Sequence, residues 1–129
     1  MRLLLDTHIW LWSLQEIGRL GAGVRHAMRN SENELWLSPI SVWEVLILHE
    51  KGRIHLAGDL RDWVAKSTAP FIEAPLTHEI VRISRTLPLP HRDPADRFLA
   101  ATALVLGLTL VTANANLLGL GEIATLGNR

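Results

Sequence analysis

Cysteine is absent from the 129-residue sequence, which excludes disulfide frameworks, zinc-thiolate sites and thiol nucleophiles together. Any metal bound here takes oxygen or imidazole ligands. A charge excess is missing too: 13 basic residues balance 13 acidic ones, so composition alone does not point to nucleic acid. Lysine is scarce, limited to Lys51 and Lys66, and the remaining basic residues are arginines. Guanidinium forks suit phosphate oxygens, although genomic base composition produces the same bias. The longest apolar stretch, Phe98 to Val111, is broken by Thr102, Gly107 and Thr109 and is too short to span a bilayer. The start, MRLLLDTHIWLW, has Asp6 and His8 inside its apolar run and no small-residue cleavage site, so it does not read as a signal peptide. A cytoplasmic chain starting near Met1, without membrane contact, is expected. No glycine-rich loop follows the first apolar run, which argues against a dinucleotide or P-loop site. The six histidines show no metal-ligand spacing.

What is present is a series of short, continuous apolar runs separated by helical patterns. Arg2 to Leu5, Leu35 to Leu37, Phe71 to Ile72 and Leu108 to Val111 read as strands of a parallel sheet covered on both faces. Helices are expected after Asp6-Thr7 and over Ala22 to Arg29. Another starts at the Ser38-Pro39 cap and stops at Gly52, and others cover Asp59 to Lys66, Thr77 to Thr86 and Pro94 to Leu106, the last closed by Gly107. Glu122 to Leu126 is expected as a final edge strand. The order β-α-α-β-α-α-β-α-α-β-α-β describes a single α/β domain over residues 1–129, with four to five parallel strands between helical layers. In such folds ligands sit beyond the carboxyl ends of the strands.

Four polar positions stand out against this pattern: Asp6, Glu44, Asp96 and Asn114. Asp6 ends the first strand, where it serves equally well as the cap of the next helix or as a ligand. Glu44 lies among Ile40, Val42, Trp43, Val45 and Leu46 and is harder to explain structurally, although an arginine partner or a solvent-facing helix side would also account for it. In HRDPADRFLAATAL, Asp93 before Pro94 fits a helix cap. Asp96 follows in the first turn, pointing toward the strand tips. VTANAN supplies Thr112, Asn114 and Asn116, ordinary turn residues placed just past a strand. Ionised carboxylates against a core call for a compensating cation, so a shared divalent-metal site is the economical expectation. His8 reads as a half-buried helix residue, and the five tryptophans, Trp10, Trp12, Trp36, Trp43 and Trp63, read as core or dimer-interface residues rather than base-stacking platforms. Arg25, Arg29, Arg92 and Arg97 are candidates for guiding phosphates if they share a face.

LLLDTHIWLW, the glutamate of SVWEV, DPADRFLAATAL and LVTANANL occur in an order and spacing that resemble the PIN-domain ribonucleases, specifically the VapC toxins of bacterial toxin-antitoxin pairs. The match runs from Leu3 to about Leu126. The resemblance implies a PIN-like α/β/α sandwich with strand order 3-2-1-4-5 and a metal site for Mg2+ or Mn2+. Asp6, Glu44 and Asp96 would hold the metal, and Asn114 would be the fourth catalytic position, with Thr7, Thr112 and Asp93 as polar support. Many relatives carry aspartate at the fourth position, so Asn114 departs from the commoner pattern. The resemblance further implies cleavage of an RNA such as tRNA or rRNA, homodimers, and a cognate antitoxin that covers the site. Two other readings share the fold class. One is a catalytically weakened PIN-like module that binds RNA or protein. The other is a flavodoxin-like small-ligand or phosphoacceptor domain, which needs a lysine after a late strand that this chain lacks beyond Lys66.

Overall fold

Leu3, Leu4 and Leu5 are completely buried, which requires cover on both faces of the strand that holds them. Because side chains alternate across a strand, Leu4 enters one core with Ile80, Leu99 and Leu110. Leu3 and Leu5 enter a second core with Ile9, Trp10, Val24 and Val45. The structure, a computed structural model, describes residues 1–90 and 93–129. Its strands are β1 Arg2–Leu5, β2 Glu34–Leu37, β3 Ile72–Glu73, β4 Thr109–Thr112 and β5 Ala124–Gly127. Its helices are α1 Thr7–Gln15, α2 Ala22–Arg29, α3 Pro39–Glu50, α4 Leu60–Thr68, α5 His78–Ser84, α6 Pro94–Leu106 and α7 Ala115–Leu118, with a 3-10 turn at Ile17–Arg19.

All strand pairs are parallel and the order is β3-β2-β1-β4-β5, as the resemblance implied. From β1 the chain first winds to β2 and β3, then returns to β4 on the other side. That reversal opens a crevice at the carboxyl ends of β1 and β4. The layer over β4 depends on α6, whose Ala100, Ala101, Thr102 and Ala103 are buried; their small side chains let the helix lie close to the sheet.

Helix limits follow the sequence signals closely. Ser38 Oγ accepts from Ile40 N–H with Pro39 in the first turn, and Asp59 and Thr77 cap α4 and α5 through their side chains. Gly107 adopts the left-handed conformation, φ 66°, that ends α6. Strand limits move by one or two residues: β4 starts at Thr109, not Leu108, and β3 includes Glu73. The apolar pattern marks burial, whereas pairing decides the strand, and Leu108 N–H is spent on Ala103 O in closing the helix. Among the described residues no helix is long and apolar enough to cross a membrane.

Candidate functional site

Leu5 pairs with Val111, so the residues just beyond them emerge side by side at the crevice. Asp6 N–H donates to Val111 O at 2.9 Å, and Thr112 Oγ1 donates to Asp6 Oδ2 at 2.6 Å. Asp6 occupies the N-cap position of α1 but its side chain makes no capping hydrogen bond. The carboxylate is held at the strand ends by Thr112, while the backbone N–H groups of Thr7 and His8 at the start of α1 also favour its charged form, so the cap and ligand roles remain compatible. It is 6% exposed, and burial raises its pKa, opposed by the Thr112 hydroxyl and by the nearby His8. Removing a carboxylate from water disfavours its charged form.

Glu44 arrives from α3. It is half-buried and accepts a hydrogen bond from the Thr7 hydroxyl, whose oxygen also lies 2.9 Å from Ser41 Oγ. Burial pushes the Glu44 pKa up, Thr7 pulls it down, and the negative charges of Asp93 and Asp6 push it up further. Among the described residues, no arginine forms an ion pair with it.

Asp93 caps α6, accepting from Ala95 N–H at 3.0 Å, with Pro94 in the first turn. The structural role expected for it is seen, and it also faces the crevice. Asp96 sits one turn on, where its Oδ2 accepts from Asn114 Nδ2 at 3.0 Å. Asn114 is itself the cap of α7: its Oδ1 accepts from Asn116 N–H at 2.9 Å. That bond fixes the amide's orientation, so a hydrogen-bond donor is what Asp96 meets. Thr112 Oγ1 also accepts from Asn114 N–H at 3.0 Å, tying Asp6 to Asn114 through a single hydroxyl.

Asp6, Glu44, Asp93, Asp96 and Asn114 line one cleft of about 440 Å³. Among the described residues no three acids or imidazoles stand at coordination spacing as placed; Thr112, Thr7 and Asn114 each turn one carboxylate toward a neutral donor. The donor chemistry nonetheless fits a hard divalent cation. The set is all oxygen, and the burial that raises the Asp6 and Glu44 pKa values, with the repulsion from Asp93 and Asp6 that raises Glu44 further, is relieved by a positive charge placed between them.

His8, Trp12 and Arg19 line the same cleft. Trp12, expected in the core or an interface, thus faces the cleft, and Arg19 joins it without a signal of its own in the sequence. The available signal was the four-residue spacing of His8 and Trp12, which puts both on one face of α1. Of the candidate arginines, the three described do not line this cleft. Arg97 turns inward and donates to the carbonyls of Ser84, Leu87 and Leu89 at 3.0 to 3.1 Å, because the turn after α5 leaves those oxygens without strand or helix partners. Arg25 and Arg29 border a separate groove, and Arg92 lies outside the described residues. Of the tryptophans, Trp10 is buried and packs against Trp63 at 5.6 Å, while Trp43 is 52% exposed.

Comparison with known proteins bears on the same residues. Over 115 residues the chain is 32% identical to Ribonuclease VapC22 of Mycobacterium tuberculosis, covering 88% of each protein. The fold matches VapBC2 from Rickettsia felis, solved bound to a promoter DNA fragment, with TM-score 0.76 at 12% identity over 98% of both chains. It also matches DNA-bound VapBC from Salmonella typhimurium, with TM-score 0.74 at 15% identity over 100% of this chain and 99% of that one. The PIN domain family matches residues 3–122, a span that holds both strand ends and every acid of the cleft, and the chain belongs to that family.

Proposed function

We propose that this chain is a metal-dependent endoribonuclease, a single-domain cytoplasmic toxin restrained by a cognate antitoxin. The observation that carries the reading is the arrival of Asp6, Glu44 and Asp96, from β1, α3 and α6, at one cleft on the switch point of the sheet. The identity with a relative named as a ribonuclease supports RNA as the substrate, with tRNA or rRNA the expected class.

In this reading Asp6, Glu44 and Asp96 hold Mg2+ or Mn2+. The bound ion makes a water more acidic and offsets charge on the phosphate. The remaining groups orient this set: Thr112 holds Asp6, Thr7 holds Glu44, and Asn114 steers Asp96. Asp93 fixes the start of α6 and so the direction of Asp96. A cleft of carboxylates, amides and hydroxyls suits direct hydrolysis without a covalent enzyme adduct.

For the antitoxin, expected to cover the site, a second anchoring surface is offered by the separate groove bordered by Leu14, Ile17, Met28 and Phe71, with Arg25, Arg29 and Lys66 around it. An amphipathic segment with acidic flanks is the complementary partner. The expected homodimer has its own candidate face around the exposed Trp43, with Ile40, Leu76 and Phe98. Sedimentation of wild type against Trp43→Ser reads self-association directly, and identical mass for both would remove that face.

The deciding experiment is Mn2+ calorimetry on the wild type and on Asp96→Asn. Saturable binding abolished by the substitution is the expected result, with RNA cleavage lost in Asp6→Asn and Asp96→Asn while both stay folded. One observation favours a second reading: the neutral Asn114 already satisfies Asp96, as a non-cleaving RNA- or protein-binding module requires. That module predicts a folded chain that takes up no Mn2+.

A further inference from the structure

An RNA backbone approaching this cleft meets Asp6, Glu44, Asp93 and Asp96, and like charge repels it unless some group on the wall receives a phosphate. Among the described lining residues Arg19 carries the only permanent positive charge, and its placement is built rather than loose. Its guanidinium lies 4.3 Å from the centre of the Trp12 ring, and Trp12 in turn meets the His8 ring, tilted, at 5.9 Å between centroids. The 3-10 turn that folds Arg19 back over α1 is tied by Arg19 N–H to Glu16 O at 2.9 Å. From the opposite end of the chain, Asn128 Nδ2 donates to Arg19 O at 2.9 Å. The guanidinium also faces Glu16 at 3.6 Å, both side chains being more than half exposed. An exposed ion pair of this kind is weak, so Glu16 gives way readily to a phosphate, which the planar fork of arginine can grip through two hydrogen bonds.

We propose that Arg19 is the residue of this cleft that receives an RNA phosphate next to the one being cut, with Trp12 as the positioning residue that holds the guanidinium toward the acids. The inference rests on the nuclease reading of the cleft and names how its substrate is held. A flat aromatic face under the guanidinium restrains its rotation without using its N–H edge, which here meets the exposed Glu16. Arg19 thus supplies the attraction that the acids by themselves deny.

The test uses a fluorescein-labelled, mixed-sequence single-stranded oligoribonucleotide and the full chain in an Asp96→Asn background, so that binding is read without cleavage. Affinity is measured across a salt series. Adding Arg19→Gln is expected to weaken binding several-fold at low salt and to reduce the slope of log affinity against log salt by about 0.7, the value of one phosphate contact on a single strand. Trp12→Leu should weaken binding at low salt, and Trp12→Phe, which restores a ring beneath Arg19, should recover it at matched thermal stability. An unchanged slope in Arg19→Gln overturns the proposal, and so does a background protein that binds no RNA. Mn2+ calorimetry on wild type and on Arg19→Gln separates the two readings. Absence of Mn2+ binding in the wild type defeats the nuclease assignment, whereas normal Mn2+ binding with an unchanged salt slope defeats only the role of Arg19.

Discussion

Single hydroxyls and amides decide the state of this cleft. Thr112→Val keeps the shape of the side chain but removes the donor to Asp6 Oδ2; outer partners of this type are worth about 10- to 100-fold in metal affinity. Calorimetry should show a loss of that size for Mn2+, and an unchanged affinity would remove Thr112 from the site. Asn114→Asp replaces the donor facing Asp96 with a second carboxylate. Mn2+ affinity should rise and stability in chelator should fall. The pH response has a definite sign. Asp6 and Glu44 have pKa values raised above 3.8 and 4.5 by burial, so the folded chain holds protons that the unfolded chain releases. The stability they contribute is complete below those ordinary values and is lost as pH rises through the raised ones. In chelator, Asp6→Asn should therefore melt higher than wild type at neutral pH, and the gap should close on acidification. A melting temperature for Asp6→Asn equal to or below that of wild type at neutral pH would contradict this.

At the level of elements, the clearest sequence signals were chemical punctuation. Asp93-Pro94 and Gly107 bracket α6 at the expected residues, because caps and a left-handed glycine act locally. β3 was less legible: two exposed residues at a sheet edge carry little periodicity, and their limits come from pairing with β2. The three acids were legible as polar intrusions into apolar runs. Trp12 and Arg19 were not, since their meeting depends on the 3-10 turn Ile17–Arg19, which has no period to read. Arg97 misled for a similar reason. Its three carbonyl acceptors lie 8 to 13 residues earlier, in a turn whose path no local pattern sets. Arg97→Met should cost about 3 kcal/mol in chemical denaturation, since hydrogen bonds from a charged donor are worth about 1.5 to 3 kcal/mol each and this guanidinium is partly exposed. A cost below about 0.5 kcal/mol, the range of ordinary surface changes, would show that the turn holds without it.

Across the whole molecule, two features join regions far apart in sequence. Gly21 leaves room for the final residue: a Cβ there would lie 1.8 Å from the Arg129 carbonyl carbon, and Arg129 O accepts from Gly23 N–H at 2.7 Å. Gly21→Ala should displace the tail and, with it, the bond from Asn128 to Arg19, which limited proteolysis of the carboxyl end would detect. The second is the bond between Thr112 and Asp6, which spans 106 residues. During translation Asp6 leaves the ribosome well before Thr112, which follows 106 residues later. Because β1 lies between β2 and β4, a nascent chain that ends before β4 has a central strand with one open edge and only part of its cleft. The order of the strands thus makes the joining of β4 to β1 the event that completes this cleft, whatever part of the chain folds first.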